Sequence, residues 1–197
     1  MRNILLVAAI LLAGCATGPQ VFPVEATRFQ YDAVARRGTI TVEPLQGPSS
    51  ASIEYKTYAA AVQAELLRNG FTNPAPGAKA DYIATVGFTR ADRALPPRSS
   101  PLTIGIGGGS YSGGWRGGGG IGGGVNFPVG NTRSRWGVIT ELSVRIRQGG
   151  DAIWEGQAQS LTDTTAPDAD AASVANRLAQ ALFKDFPGDS GRTIEVK

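Results

Sequence analysis

The residues best suited by type to do chemistry in this chain are Cys15, the aspartates of DTTAPDAD (Asp163, Asp168, Asp170) and the pair Glu141 and Glu155. Histidine is absent, so Ser-His-Asp and Cys-His nucleophilic sites are closed, and the commonest zinc and iron ligands are missing. Cys15 is the only cysteine, and one thiol cannot close a disulfide within a chain. The aspartate cluster lacks the spacing, glycine and terminal glutamate of an EF-hand loop. Acidic residues at a helix start interact favourably with its dipole, which is the simpler role for them than a weak calcium site. Glu141 and Glu155 would be a glycosidase pair only if they faced each other. The strand register argued below separates them and sets Arg145 opposite Glu155. The expectation is no catalytic residue, no metal site and no cofactor.

Cys15 ends a distinctive leader. Arg2 supplies a positive start, and Ile4 to Leu12 is an apolar run of nine residues. A helix needs about 20 apolar residues to span a bilayer, so the run reads as an export signal. Leu12-Ala13-Gly14-Cys15 resembles the lipobox of bacterial lipoproteins. That resemblance implies acylation of the Cys15 thiol, cleavage before it and acylation of the new amine. Several acyl chains anchor stably where one does not. Ala16 follows the cysteine where an aspartate would, by the same resemblance, hold the protein in the inner membrane. The expected location is the outer membrane, lipid-anchored and facing the periplasm, with the acyl chains as the membrane contact. Losing Arg2 with the leader takes the formal charge from +3 to +2. The arginines form no basic stripe, so no nucleic-acid partner is expected.

The segment IGIGGGSYSGGWRGGGGIGGG (104–124) is the other unusual stretch. A P-loop requires G-x-x-x-x-G-K-[ST], and no lysine lies between Lys79 and Lys184. A membrane helix is opposed by fourteen glycines between positions 105 and 130, on the order of 10 kcal/mol in total at ~1 kcal/mol each. The flanks favour a hairpin base: Leu102, Ile104 and Ile106 alternate on the way in, and Val125, Phe127 and Val129 on the way out. Pairing 104 with 127 and 106 with 125 puts Trp115 and Arg116 at the tip. Trp115 there either covers apolar surface of its own domain or, with Tyr111 and Arg116, touches lipid headgroups, an envelope protein or glycan.

Elements that would position these residues follow from periodicity. ATRFQYD (26–32) alternates, with Thr27, Phe29 and Tyr31 on one face, and GTITVE (38–43) is a second short β-rich run. Tyr55, Tyr58, Val62 and Leu66 recur at helical spacing, and Gly70 stops the helix after Asn69. ADYIATVGFTRAD (80–92) alternates again. RWGVITELSVRIRQ (135–148) is the clearest strand, and AIWEGQAQSL (152–161) returns after Gly149-Gly150-Asp151. A three-residue loop pairs Ile146 with Trp154, Val144 with Gly156 and Leu142 with Ala158, which keeps all six on one face. A second helix opens near Pro167-Asp168 and carries Val174, Leu178, Ala181 and Leu182. RTIEV (192–196) is a candidate edge strand.

Two helices and several strands without regular βαβ alternation predict an α+β fold, with an antiparallel sheet, two amphipathic helices packed on one face and a glycine-rich β-hairpin insertion. The expected organisation is a signal peptide at 1–14, an acylated tether at 15–25 and one periplasmic domain at 26–197, the insertion occupying 102–130. ELSVRIRQGGDAIWEGQAQS, with Glu141, Trp154 and Gly156, resembles the conserved segment of the bacterial lipoproteins grouped as domain-of-unknown-function family four-one-three-six. LFKDFPGDSG (182–191) is similar to that family's closing helix, and AVQAELLRNGF followed by ADYIATV to its first helix and next strand. The resemblance implies an envelope lipoprotein with an α+β domain and brings no catalytic residues. The function expected is a non-catalytic binding or scaffolding domain, the alternative being a hydrolase of envelope glycan or lipid. A deep pocket with a buried, unpaired Asp or Glu would favour the hydrolase.

Overall fold

The structure is a computed structural model; it describes residues 21–31, 37–45, 52–95, 103–106, 125–128 and 135–197. In chain order the elements are β1 (Val21–Gln30), β2 (Ile40–Pro44), α1 (Ile53–Arg68), β3 (Tyr82–Leu95), β4 (Thr103–Ile106), β5 (Val125–Pro128), β6 (Arg135–Gln148), β7 (Asp151–Asp163), α2 (Ala171–Phe183) and β8 (Thr193–Val196). The fold is α+β, with a six-stranded sheet in the order β2-β3-β6-β7-β1-β8. The chain divides into two compact units, 1–93 with 136–197, and 94–135. In the second, β4 and β5 pair antiparallel, with Ile104 opposite Phe127 and Ile106 opposite Val125.

The sheet is mixed, which corrects the expectation of an antiparallel one. β2 runs parallel to β3, with Ile40 beside Tyr82 and Val42 beside Ala84. The reason is the connection: a parallel pair requires a crossover of a dozen or more residues, usually a helix, and α1 supplies it. β6 with β7, β7 with β1 and β1 with β8 pair antiparallel.

α1 starts where Ser52 Oγ accepts the Tyr55 N–H at 2.9 Å and so satisfies one orphan donor of the first turn. It stops at Gly70, whose φ of +90° suits a residue without Cβ. The N–H of Gly70 reaches Leu67 O and that of Phe71 reaches Leu66 O, the Schellman pattern, with Leu66 and Phe71 both buried. α2 starts at Asp170, whose carboxylate accepts the N–H groups of Ala172 and Ser173 at 3.0 Å each. Hydrogen bonding from Ser173, through its side chain first and its N–H next, with a smaller part from the Ala172 N–H, holds the Asp170 carboxyl below the usual carboxylate range.

One face of the sheet carries the core. Val24 and Ala26 of β1, Tyr82, Ala84 and Val86 of β3, Leu142, Val144 and Ile146 of β6, and Trp154 and Ala158 of β7 are buried with α1 and α2 in a single cluster. Trp154 stacks on Phe183 at 5.3 Å, lies 5.2 Å from Phe186, and donates its Nε1–H to Pro187 O at 3.0 Å. The bulk of this indole explains the Trp-x-Gly motif, because a Cβ on Gly156 would meet Trp154 Cη2 at 2.5 Å and Leu182 Cδ1 at 2.8 Å. Arg28 also points to this side and is 3% exposed. Its Nη1 donates to Lys184 O at 2.5 Å, just past the end of α2. Burial pushes the Arg28 pKa down, opposed by Asp185 and Asp189.

Two boundaries differ from the sequence reading. β1 begins at Val21, inside the stretch expected to be tether, and Val24 is a core residue. Pro23 hides the alternation; the register of β1 on β7 shifts between Val21 and Val24, the kind of irregularity at which a strand tolerates proline. α2 begins three residues after Asp168, because Asp170 rather than Asp168 is its cap.

Candidate functional site

The outer face of the six-stranded sheet, opposite the helices, carries a well-defined concavity. Alternation puts Thr27 and Phe29 of β1, Thr85 of β3, Ser143 and Arg145 of β6, and Glu155 and Gln157 of β7 on this side, because their neighbours in sequence fill the core. The strand order then sets them side by side. Glu155 is the register partner of both Arg145 and Phe29, and Gln157 of both Ser143 and Thr27. The result is a transverse groove of about 280 Å³ that crosses the strands and reaches Leu45 beyond β2. Three strand spacings separate β3 from β1, about 14 Å.

The groove is apolar at its ends and polar in the middle. Phe29 is 56% exposed at one end, with Tyr31 further out at 93%. Leu45 is 46% exposed at the other; its N–H donates to Val86 O and its side chain lies over Gly87, where a Cβ would meet Leu45 Cδ2 at 3.0 Å. Between them Arg145 Nε donates to Glu155 Oε1 at 2.6 Å. Thr27 and Thr193 share a hydroxyl hydrogen bond of 2.7 Å beside the groove, and Thr85 Oγ1 donates to Arg145 O at 3.3 Å.

The carboxylates singled out by type are otherwise engaged. Glu141 faces Gln159 in register, not Glu155. Asp163 is fully buried and accepts from the N–H and hydroxyl of Thr165. Asp168 pairs with Arg177 at 2.5 Å, and Asp170 caps α2. Glu65, nearly buried, pairs with Arg68. Asp81, with no signal in the sequence, accepts the N–H and hydroxyl of Thr39, which hold its carboxyl below the usual range. A smaller recess of about 160 Å³, beside the first turn of α2, is lined by Thr140, Thr162 and Thr164 with Arg90 and Val174. Arg90 is paired there with Glu54 at 2.7 Å. Among the described residues no group of three potential metal ligands converges.

Cys15, Tyr111, Trp115 and Arg116 lie outside the described residues. What sequence reasoning missed is the groove. Arg145 and Glu155 were legible as an ion pair from the hairpin register, but Leu45, Thr85 and Phe29 come from strands whose neighbours follow from topology alone.

The sequence matches the domain of unknown function DUF4136 over residues 30–188. The chain belongs to that family. An uncharacterized protein from Zymomonas mobilis subsp. mobilis is 29% identical over 213 residues, spanning 89% of this chain and 80% of its own. Among solved structures, a PDZ domain protein from Parabacteroides distasonis aligns with a TM-score of 0.44 at 14% identity, over 96% of this chain and 42% of its own. The PelC dodecamer from Paraburkholderia phytofirmans aligns with a TM-score of 0.42 at 11% identity, over 85% of this chain and 99% of its own. At such scores the likeness carries no functional information about this DUF4136 chain. No helix among its described residues is long and apolar enough to cross a membrane.

Proposed function

We propose that this protein is an outer-membrane lipoprotein, anchored through acyl chains on Cys15 and facing the periplasm, whose folded unit is a non-catalytic binding or scaffolding domain that engages its target through the outer face of the sheet. The observation that carries the binding face is the groove between Leu45 and Phe29. It is a concavity of about 280 Å³, and it leaves two aromatic side chains, Phe29 and Tyr31, in solvent beside it. Exposed aromatic residues grouped at a concave surface are what interfaces use as anchors. The non-catalytic reading is supported by the hydrogen bonds of the buried carboxylates Glu65 and Asp163, which occupy them structurally.

The lipid anchor is supported by the leader and by Leu12-Ala13-Gly14-Cys15. Oxidative footprinting of the intact protein in isolated cell envelopes, against the same protein purified in detergent, tests the binding face. Phe29 and Tyr31 lose reactivity in envelopes if the face is occupied, whereas Ile53 on α1, 84% exposed, keeps its own. Equal reactivity of Phe29 and Tyr31 in both samples would refute the reading. Mass spectrometry of the mature N-terminus, with and without Cys15→Ser, tests the anchor: an unacylated wild-type chain would refute it.

A further inference from the structure

We infer that the ligand of the outer-face groove is a neutral glycan chain lying across the strands. This rests on the outer face being the binding surface and adds the chemical class of its occupant. Charge comes first. The formal charges lining the groove are Arg145 and Glu155, and they neutralise each other at 2.6 Å. Thr27, Thr85, Ser143 and Gln157 add hydroxyl and amide groups without charge. Among the residues that line the groove, a phosphate or an acidic peptide meets Arg145 alone as a cation, and Arg145 already holds Glu155; Arg147, on the same face of β6, stands outside the lining, so anionic ligands gain little within it.

The distribution of polarity separates a glycan from a protein partner. Protein interfaces place an apolar, desolvated centre inside a polar rim. Here the order is inverted: the ion pair, the Gln157 amide and the Ser143 and Thr85 hydroxyls occupy the middle, while Phe29 and Leu45 stand at the ends. A sugar hydroxyl both donates and accepts. A guanidinium beside a carboxylate, and an amide next to them, offer donors and acceptors side by side, which suits neighbouring hydroxyls on one ring. The C–H faces of sugar rings are apolar and can cover Phe29 and Leu45. A length of about 14 Å between β3 and β1 suits a short run of sugars better than one ring.

The test is a titration of the intact, acylated protein in detergent with short neutral oligosaccharides, and in parallel with acidic ones and inorganic phosphate. Neutral oligosaccharides bind, and Phe29→Ala and Gln157→Ala each weaken them roughly five- to tenfold, the loss of one contact of about 1–1.4 kcal/mol. Ile53→Ala leaves them unchanged. Glu155→Gln frees Arg145 and shifts preference toward the acidic oligosaccharides. Circular dichroism confirms that each variant is folded. Absence of neutral binding, or binding indifferent to both Phe29→Ala and Gln157→Ala, overturns the glycan assignment. If Phe29 is protected in envelopes while no oligosaccharide binds, the class is wrong and the face stands. If Phe29 is also unprotected, both fall.

Discussion

Replacing Gly156 by alanine adds one methyl group at the tightest point of the core. The new Cβ would lie 2.5 Å from Trp154 Cη2, 2.8 Å from Leu182 Cδ1 and 3.0 Å from Trp154 Cζ2. These atoms have no room to retreat, since the indole is 1% exposed, stacked on Phe183 and fixed through Nε1 to Pro187 O. Overpacking of this kind costs about 1–3 kcal/mol. For a chain of this size each kcal/mol lowers Tm by about 2–4 °C, so Gly156→Ala should lower it by roughly 2–12 °C. The cause can be isolated with Trp154→Phe, which removes the six-membered part of the indole that occupies the space beside Gly156. Trp154→Phe destabilises on its own, through lost packing and the lost Pro187 bond. In that background Gly156→Ala should cost less than in the wild type, a coupling readable from urea denaturation of all four proteins. A Gly156→Ala cost under about 0.5 kcal/mol, or an equal cost in both backgrounds, would refute the steric account of the Trp-x-Gly motif.

Ser52→Ala removes the acceptor for the Tyr55 N–H and should destabilise by about 0.5–2 kcal/mol in urea denaturation, with Ser52→Gly closer to wild type. Asp81 has a folded pKa below its ordinary value of about 4, because Thr39 donates to its carboxylate. Its contribution is therefore present above about pH 4 and lost as pH falls through the lower, folded value. Asp81→Asn should be less stable than wild type near neutrality, and the gap should close as the denaturation midpoint is followed down to about pH 2. A gap independent of pH would show that the Thr39 bonds do not depend on the charge.

Much of the hairpin of β6 and β7 was legible because alternation fixes the face of every residue. Ile146 lies opposite Trp154, Val144 opposite Gly156, Leu142 opposite Ala158 and Arg145 opposite Glu155. The loop itself was misjudged. Gln148 pairs with Asp151 across Gly149-Gly150, both at positive φ, and the extra residue is absorbed next to Ile153, where the register shifts between Ile146 and Arg147. A two-residue turn plus a bulge gives the same register as a three-residue loop, so periodicity could not distinguish them.

β1 shows another limit. Its large apolar residues Phe29 and Tyr31 face outward, while Val24, Ala26 and Arg28 face the core. Ala26 on the inner side, beside Ala158, and Gly156, beside Arg28, leave room for α2 and for the Trp154 ring. Pattern shows that two faces exist; which one the helices cover depends on volume. The parallel pairing of β2 and β3, and with it the position of Leu45 over Gly87, depends on where α1 crosses. No local signal in GTITVE or ADYIATV records that.

The claim that the outer face of the sheet is the binding surface is tested most directly by photo-crosslinking in living cells, from a probe replacing Phe29 and, separately, from one replacing Ile53, with Cys15 intact. The account predicts a discrete envelope adduct from position 29, with glycan on the recovered probe, and none from position 53. No adduct from 29, or the same adducts from both positions, would contradict it.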